Sequence, residues 1–371
     1  MFGLEKLMNL FSSLDLAWQM ARGILFSPRA YMIFFVTARC NARCDFCFYY
    51  QEIESASTRK QLSLDEIEKF TLKLNHLLYL SIGGGEPTLR KDLPDIVSLF
   101  YRNCKTRLLN LVTNGYLSNQ IAEQVERMLV ENPHLKLKIS ISIDELEEKH
   151  DDIRRSKNAF KNALETIQKL IEVRNRQRYF GINIGTTFSK YNEDRVKEII
   201  DYFDDYDIND HSMTFVRGDI KNEEHLTQSV EKYKEAVDYL DAKYQPDAFI
   251  FRIFHNLLRV MFKINIDTME QKKMIIPCVA GGKMLTLSDE GDLKPCEMLE
   301  QIHKSDKHNT GNLRDYNYDI EAMCQTPKAK EVRKWIKDSK CHCTFECANM
   351  ANIVFSKKSW LKVTKEYLKN I

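Results

Sequence analysis

The stretch "VTARCNARCDFCFYY", Val36 to Tyr50, places three cysteines within eight residues, at Cys40, Cys44 and Cys47. A closed zinc site needs four ligands, and its most common spacing is a pair of CxxC units. A disulfide framework needs an even number of cysteines and an oxidising compartment. Three thiols that directly follow a short apolar run therefore indicate a metal centre in which one coordination position stays open.

The composition is that of a globular protein with metal-binding cysteines. The chain has 371 residues, of which 43% are hydrophobic and 29% charged, and its net charge is +2. This size allows one large α/β barrel or two modest domains, and the small net charge does not favour nucleic acid as a partner. The ten cysteines are too sparse for a disulfide scaffold but cluster at both ends of the chain. With no recognisable signal peptide, we expect metal ligation in a reducing cytoplasm.

Short apolar segments alternate with amphipathic segments from Tyr31 onward. This alternation predicts an α/β fold in which parallel strands and right-handed crossovers form a partial (β/α)6-type TIM barrel. Chemistry in such folds lies at the C-terminal ends of the strands, where the three-cysteine loop also falls. The predicted strands are Tyr31–Thr37, Leu78–Gly83, Leu108–Thr113, Leu137–Ser142, Gly181–Thr187 and Ser212–Val216. The predicted helices are Ser63–Leu77, Leu93–Tyr101, Asn119–Glu131, Ala159–Asn175 and Glu193–Tyr206, with Ser63 and Asn192 as N-caps.

Changes in composition along the chain predict five segments. Residues 1–30 form an amphipathic helical segment, 31–217 the barrel, 218–275 a helical linker or substrate segment, 276–350 a small cysteine-rich extension, and 351–371 a C-terminal tail. The apolar stripe of the first segment predicts a helix packed on its own domain, with peripheral membrane contact as the alternative. No apolar span reaches the roughly 20 residues that cross a bilayer.

Two motifs together resemble those of the radical S-adenosylmethionine (radical SAM) superfamily. The first is the CxxxCxxC loop with Phe46 before its third cysteine, and the second is "IGGGEPTLR", with Gly84, Gly85 and Glu86. The resemblance implies a [4Fe–4S] cluster on Cys40, Cys44 and Cys47, whose remaining iron binds SAM. It also implies that this cluster transfers an electron to SAM, and that the resulting 5′-deoxyadenosyl radical abstracts hydrogen from a substrate.

The same resemblance implies a set of SAM contacts at the strand ends. Glycines let backbone carbonyls approach the SAM ammonium closely, and an arginine can bind its carboxylate in bidentate geometry. The segments "LVTNG" and "SISID" end two further predicted strands, and "KHDDIRRSKNAF" follows them. The predicted SAM contacts are Phe46, Gly84, Gly85, Glu86, Asn114, Ser142, Asp144 and Arg154.

The C-terminal cysteines resemble the SPASM or shorter twitch extensions, which bind auxiliary iron–sulfur clusters. In "CVAGGKMLTLSDEGDLKPC" a hairpin with a turn at Asp289–Gly291 brings Cys278 and Cys296 together. A full SPASM extension carries seven cysteines, whereas only Cys324 lies between Cys296 and "CHCTFEC". We therefore expect one auxiliary [4Fe–4S] cluster, with a zinc site on the same thiolates as the alternative. Its predicted ligands are Cys278, Cys296, Cys347 and one of Cys341 and Cys343, while Cys104 and Cys324 are expected to be ordinary buried thiols.

The resemblance favours an oxidoreductase that modifies a peptide or protein, because enzymes with this extension often act on peptides. A small molecule or a lipid at a membrane surface is the alternative substrate, and a non-catalytic iron–sulfur or zinc module is the alternative from another class. The expected electron donor is a reduced flavodoxin or ferredoxin. The sequence assigns no acid, base or radical relay among Asp144, Tyr49, Tyr50 and Tyr116.

Overall fold

The computed structural model describes residues 18, 21–23, 27–177, 180–244, 249–303, 306–356, 359–360 and 364, without the side chains of residues 249–255 and 306. The apolar stripe predicted for residues 1–30 lies outside the described residues, apart from Trp18 and Ala21, which are helical. Most of the predicted tail, 351–371, also lies outside them beyond residue 356. Among the helices described, none is long and apolar enough to cross a membrane.

The described strands form one sheet in the order β6-β5-β4-β3-β2-β1-β7-β8. Strands β1 to β6 are parallel, as predicted, and β7 and β8 form an antiparallel hairpin. Because the order ends at β6 and β8, the described sheet is an open, partial barrel. The strands are β1 (Tyr31–Thr37), β2 (Tyr79–Gly84), β3 (Leu108–Thr113), β4 (Lys136–Ser142), β5 (Phe180–Phe188), β6 (Asp210–Phe215), β7 (Met284–Leu287) and β8 (Leu293–Lys294).

Helices connect these strands and cover the outer face of the sheet. Ser63 caps α2 as predicted, in a reciprocal capping box with Glu66. The helices are α1 (Tyr50–Glu54), α2 (Leu64–Lys73), α3 (Leu93–Asn103), α4 (Ser118–Glu131), α5 (Glu147–Arg154), α6 (Ala159–Arg176), α7 (Val196–Tyr202), α8 (Val230–Lys243), α9 (Phe249–Gln271), α10 (Leu299–His303), α11 (Ile320–Gln325), α12 (Pro327–Asp338) and α13 (Glu346–Phe355).

The predicted N-cap at Asn192 is wrong, because α7 begins only at Val196. The Asn192 side chain instead donates to the backbone oxygens of Asp144, at 2.7 Å, and Thr187, at 2.9 Å. It therefore ties together the segments that follow β4 and β5. Asparagine side chains often hydrogen-bond to the backbone at the start of a helix, and here the Asn192 amide makes such bonds between the ends of two strands instead.

Strand β1 is buried on both faces, which explains its uninterrupted apolar sequence. Met32, Phe34 and Val36 belong to the main core between the sheet and the outer helices. Tyr31, Ile33 and Phe35 point the other way, into a second core shared with the C-terminal cysteine-rich region. The concave side of the partial barrel is therefore filled by the chain's own C-terminal part.

The β7–β8 hairpin has the turn that the sequence predicts, and it extends the barrel sheet. Strand β7 pairs in parallel with β1, from Tyr31 opposite Met284 to Phe34 opposite Leu287. The hairpin thus covers an edge of β1 that would otherwise present unpaired backbone groups. The cysteine-rich extension predicted for 276–350 and the barrel consequently share one sheet.

Asp289, at the tip of this hairpin, anchors it to the segment that follows the three-cysteine loop. Its carboxylate is 1% exposed and accepts hydrogen bonds from Arg59 Nη2 at 2.6 Å and from Arg59 Nε at 3.0 Å. Tyr49 Oη donates to Asp289 Oδ1 at 3.0 Å. A buried carboxylate with two side-chain donors fixes the hairpin relative to α1 and the loop before it.

Replacing Asp289 by alanine should lower the free energy of unfolding by about 3 to 5 kcal/mol, because Arg59 then keeps a largely buried charge without its main partner. Urea unfolding of the protein, reconstituted with its expected iron–sulfur clusters, measures this loss. As a control, Asp95→Ala removes one of the two ion-pair partners of the exposed Arg127 and should cost less than about 1 kcal/mol. Equal losses in the two variants would contradict the anchoring role of Asp289.

Candidate active site

A cavity of about 210 Å³ lies at the C-terminal ends of the parallel strands. Its walls include all three loop cysteines, Cys40, Cys44 and Cys47. Seven of the eight predicted SAM contacts also line it, namely Phe46, Gly84, Gly85, Glu86, Asn114, Ser142 and Arg154. The structure therefore brings the predicted cluster ligands and nearly all the predicted SAM contacts to one place. Asp144, the eighth contact, does not line the cavity.

The backbone of the three-cysteine loop is held by the end of α5. Arg43 N donates to Arg154 O and Asp45 N donates to Ile153 O, both at 3.1 Å. The Asp45 carboxylate also accepts from Arg155 Nε and Nη2 at 2.9 and 2.8 Å. The last carbonyls of a helix have no partner within the helix, so this loop satisfies two groups that would otherwise need one.

The three thiols occupy partly buried positions. Burial raises the pKa of Cys40 to about 11 and that of Cys47 to about 12, and it also raises the pKa of Cys44. The N–H of Ala42 donates to Cys40 Sγ at 3.4 Å. Such N–H to sulfur bonds support thiolates once a metal neutralises their charge.

The donor set fits an iron–sulfur cluster. Within the described part of the chain, no three His, Cys, Asp or Glu side chains converge on a position for a single metal ion. A [4Fe–4S] cluster binds each cysteine at a different iron, so its thiols surround the cluster and need not meet at one point. Cys40, Cys44 and Cys47 would therefore hold such a cluster by three of its irons.

Gly84 and Gly85 are required by a close approach of two backbone segments. Gly85 N donates to Thr37 O at 2.8 Å, and Glu86 N donates to Arg39 O at 2.7 Å. A Cβ atom would lie 2.3 Å from Thr37 O at Gly84 and 2.2 Å from Arg39 O at Gly85, and Gly84 has a φ of +133°. These glycines thus let the end of β2 lie against the start of the cysteine loop.

The Glu86 carboxylate joins the ends of β2 and β3. It is 1% exposed, and its Oε1 accepts from Thr88 Oγ1 at 2.5 Å and from Thr113 Oγ1 at 2.8 Å. Its Oε2 accepts from Asn114 N at 2.8 Å. Burial raises the pKa of Glu86, and these hydrogen bonds oppose that shift. Glu86 therefore has a positioning role, besides the SAM contact that the sequence predicts for it.

Asn114 links the end of β3 to the cysteine loop. Its Nδ2 donates to Asn41 Oδ1 at 2.7 Å, while its Oδ1 accepts from Tyr116 N at 3.1 Å. Asn41 follows Cys40 directly. The position of the first cysteine is thus connected through side-chain hydrogen bonds to the second and third strands.

Asp144 lies behind Arg154 and fixes it. Its Oδ2 accepts from Arg154 Nε at 2.6 Å, its Oδ1 accepts from Thr187 N at 2.8 Å, and its side chain is fully buried. His150 Nδ1 accepts from Asp144 N at 3.2 Å. Burial, together with the charge of Arg154, lowers the pKa of His150 well below its usual value, so this ring is neutral. The structure thus gives Asp144 a positioning role instead of a place in the cavity wall.

The three tyrosines considered for a relay differ in position. Tyr49 Oη is bonded to the buried Asp289, away from the cavity. Tyr116 packs with Ala42 against Cys40 and Cys44. Tyr50 is the one of the three that lines the cavity.

One wall of the cavity was missed in the sequence interpretation. It is built by residues at the ends of β5 and β6 and just beyond, namely Thr187, Thr214, Phe215, Val216, Arg217 and Lys221. Arg217 forms an ion pair with Glu346 and donates to Thr344 O at 2.5 Å. The rule that parallel strands carry chemistry at their C-terminal ends could have identified the first of these residues. The polar composition after Val216 had instead indicated a linker.

A second, smaller cavity of about 20 Å³ gathers four of the five C-terminal candidates. Cys278, Cys296, Cys341 and Cys343 all line it. We call these residues the four-thiol site. Burial raises the pKa of each of them. Four thiols around one cavity fit a cysteine-ligated iron–sulfur cluster.

Cys347 is not among the residues that line the four-thiol site. It instead packs against the second core, which contains Tyr31 on the inner face of β1. The structure therefore brings together both Cys341 and Cys343, where the sequence interpretation chose one of them together with Cys347. Cys104 and Cys324 lie buried in the main core and line neither of the two cavities.

Sequence comparison shows similarity of part of this chain to known proteins. Residues 34–203 match the model of the Radical SAM superfamily. A GTP 3′,8-cyclase of Helicobacter pylori (strain HPAG1) is 28% identical over 214 residues, which cover 54% of this chain and 62% of the relative. The match thus spans less than two thirds of the length of that cyclase.

Two solved structures share the fold over most of the chain. Native anSMEcpe with bound AdoMet has a TM-score of 0.59 at 16% identity, covering 93% of this chain and 100% of that one. Streptococcus suis SuiB bound to S-adenosylmethionine has a TM-score of 0.58 at 15% identity, covering 86% of this chain and 71% of SuiB. At these identities the likeness concerns the fold alone.

Residues 34–203 therefore form a domain of the Radical SAM superfamily. The predicted cofactors, a [4Fe–4S] cluster and SAM, are those of the superfamily.

Substituting Gly85 by alanine should abolish iron loading on the cysteine loop, because the new Cβ would overlap Arg39 O. Iron content after anaerobic reconstitution, together with circular dichroism, measures this effect. Gly83→Ala is the matched control, since its Cβ would meet only the Phe35 side chain at 3.6 Å. Normal iron loading in Gly85→Ala would show that the backbone approach is dispensable.

Proposed function

We propose that this enzyme binds a [4Fe–4S] cluster on Cys40, Cys44 and Cys47 and SAM in the adjoining cavity, and that it abstracts hydrogen from a peptide or protein substrate. The observation that carries the proposal is the single cavity lined by the three loop thiols, the Gly84–Glu86 strand end, Ser142 and Arg154. When bound, the cluster supplies the electron that cleaves SAM into methionine and a 5′-deoxyadenosyl radical, which becomes 5′-deoxyadenosine by taking hydrogen from the substrate.

The chain's own residues bind and orient SAM. Arg154 presents a guanidinium to the cavity and is fixed by Asp144, so it suits the SAM carboxylate. Asp144 leaves the guanidinium pre-oriented, which reduces the entropy lost on binding. The backbone of Gly84 and Gly85 faces the cavity without side chains and suits the SAM ammonium.

A peptide or protein substrate is supported by the border of the cavity between α1 and residues 217–221. Three side-chain contacts bridge this border: the Lys221–Glu54 ion pair, a cation–π contact of Lys221 with Tyr50, and a 2.9 Å hydrogen bond from Gln51 to Asp219. The ion pair and the hydrogen bond are exposed, and exposed contacts of this kind contribute little to stability. The two segments can therefore separate to admit an extended chain, and Phe215 and Val216 offer it an apolar wall beside Arg217.

A small-molecule substrate is the second candidate, and the similarity to GTP 3′,8-cyclases favours it. The two candidates differ in what stimulates SAM cleavage by the loaded enzyme. If GTP or another nucleotide raises 5′-deoxyadenosine formation and pools of short peptides do not, the peptide proposal fails. Stimulation by a peptide pool alone supports it.

We also propose that the four-thiol site holds one auxiliary [4Fe–4S] cluster, with Cys278, Cys296, Cys341 and Cys343 as ligands. In this position the cluster could accept the electron left on the substrate, so that the net reaction is an oxidation. Zinc on the same thiolates would leave the reaction without that acceptor, because zinc has no redox chemistry.

Anaerobic reconstitution should load about eight irons in the wild type and about four when Cys40, Cys44 and Cys47 are all replaced by alanine. Dithionite-reduced wild type should convert SAM to 5′-deoxyadenosine, and the triple variant should not, because the cluster that binds SAM is lost. Cys104→Ala is the matched control and should keep both properties. Equal 5′-deoxyadenosine formation by the triple variant would overturn the proposal, and no formation by the loaded wild type would favour a non-catalytic module.

The ligand set of the four-thiol site can be tested in the triple-alanine background. The triple-alanine variant should keep about four iron atoms. A further Cys341→Ala substitution should remove most of them, because it deletes a cluster ligand. Cys347→Ala should leave that iron in place, since Cys347 does not line the four-thiol site. The opposite pattern of iron contents would restore Cys347 as a ligand and exclude Cys341.

A further inference from the structure

Three buried asparagines surround the four-thiol site. Asn349 and Asn352 lie on α13 and line the site, and Asn265 lies beside them on α9. Their side chains are 5%, 3% and 0% exposed, respectively. Buried amides in an otherwise apolar region are costly unless their hydrogen bonds are made, so their partners indicate what they support.

Asn352 is bonded to the irregular segment that carries the first thiol. Its Oδ1 accepts from Val279 N at 2.7 Å, and Val279 follows Cys278 directly. Asn352 and Cys278 both line the four-thiol site. One amide thus holds the backbone next to Cys278.

Asn349 holds the third segment of the site and joins the other two amides. Its Nδ2 donates to Cys343 O at 3.0 Å and to Asn265 Oδ1 at 2.6 Å. Its Oδ1 accepts from Asn352 Nδ2 at 3.3 Å. The three amides therefore form a continuous chain that contacts two of the three thiol-bearing segments.

The chain of amides continues to the wall of the main cavity. Asn265 Nδ2 lies 3.5 Å from Glu346 Oε1, and Glu346 in turn pairs with Arg217. Glu346 Oε1 also accepts from Phe215 N at 3.0 Å, at the end of β6. The same set of hydrogen bonds thus supports the four-thiol site and fixes a guanidinium that faces the main cavity.

We propose that Asn352 and Asn349 are positioning residues for the metal centre of the four-thiol site, and that the Asn352 amide, held next to Cys278, tunes the reduction potential of that centre. The proposal rests on the proposed function, because it requires metal on these cysteines. Hydrogen bonds to cluster sulfurs stabilise the more negative, reduced state, and residues that orient metal ligands affect metal affinity strongly.

The test uses the full-length triple-alanine variant, in which the auxiliary cluster is the one observed. Asn352→Leu removes the hydrogen bonds to Val279 N and Asn349 Oδ1. Asn352→Asp keeps the acceptor for Val279 N and puts a negative charge beside Cys278. Both variants should have a more negative reduction potential than the parent, and Asn352→Asp should show the larger shift. Both should also retain metal against a chelator about 10- to 100-fold less well. Asn352→Asp keeps the test decisive if Asn352→Leu does not fold.

Asn132→Leu is the matched control. Asn132 is a buried amide in the barrel that does not line the four-thiol site. Its Nδ2 donates to Met128 O at 2.8 Å and to Ser98 Oγ at 3.1 Å. This substitution should lower stability and leave the potential unchanged. Unchanged potential and metal retention in the Asn352 variants, or the same shifts in Asn132→Leu, would overturn the proposal.

The metal content of the parent separates this proposal from the proposed function. If the parent loads zinc, the auxiliary-cluster proposal fails, and chelator competition alone then decides the role of Asn352. If the parent loads neither iron nor zinc on the four cysteines, both proposals are overturned. Iron in the parent with unshifted variants overturns the role of Asn352 alone.

Discussion

The active site depends on two backbone hydrogen bonds between the end of β2 and the start of the cysteine loop. These hydrogen bonds join Gly85 N to Thr37 O and Glu86 N to Arg39 O. They bring the two segments so close that neither Gly84 nor Gly85 has room for a Cβ atom. Glu86 then transmits the constraint to β3 through Thr113 and Asn114. The position of the first cysteine thus follows from a contact between main chains, which holds its geometry more rigidly than side-chain packing could.

The bounds of β1 were predictable because this strand is fully buried. Strand β1 is buried on both faces, so its apolar run is continuous and its predicted bounds agree with the structure. The partner of β7 was not predictable, because the four residues "MLTL" indicate a strand and carry no information about which edge it joins. The role of Asn192 was misjudged for a related reason, since the same amide bonds can cap a helix or tie two strand ends together.

Within the site, the accuracy of the sequence interpretation follows the regularity of the backbone. Ser142 is the last residue of β4 and faces the cavity as predicted. Asp144 follows two positions later, and alternation would place it on the same side as Ser142. The strand has ended by then, however, so the alternation no longer applies and Asp144 turns behind Arg154. The wall with Arg217 was missed because its ion pair with Glu346 joins residues far apart in the sequence.

The placement of Cys347 follows from where α13 begins. Cys341 and Cys343 lie in the irregular segment before the helix, where their side chains can meet Cys278 and Cys296. Helix α13 starts at Glu346, and its residues Ala348, Asn349 and Asn352 line the four-thiol site. At about 100° per residue, Cys347 lies about 200° from Asn349 and about 140° from Asn352, on the opposite side of the helix. A cysteine spacing that suits ligands on a loop therefore does not predict ligands once the chain has entered a helix. The face of α13 that points to the four-thiol site carries Asn349 and Asn352 instead of a cysteine.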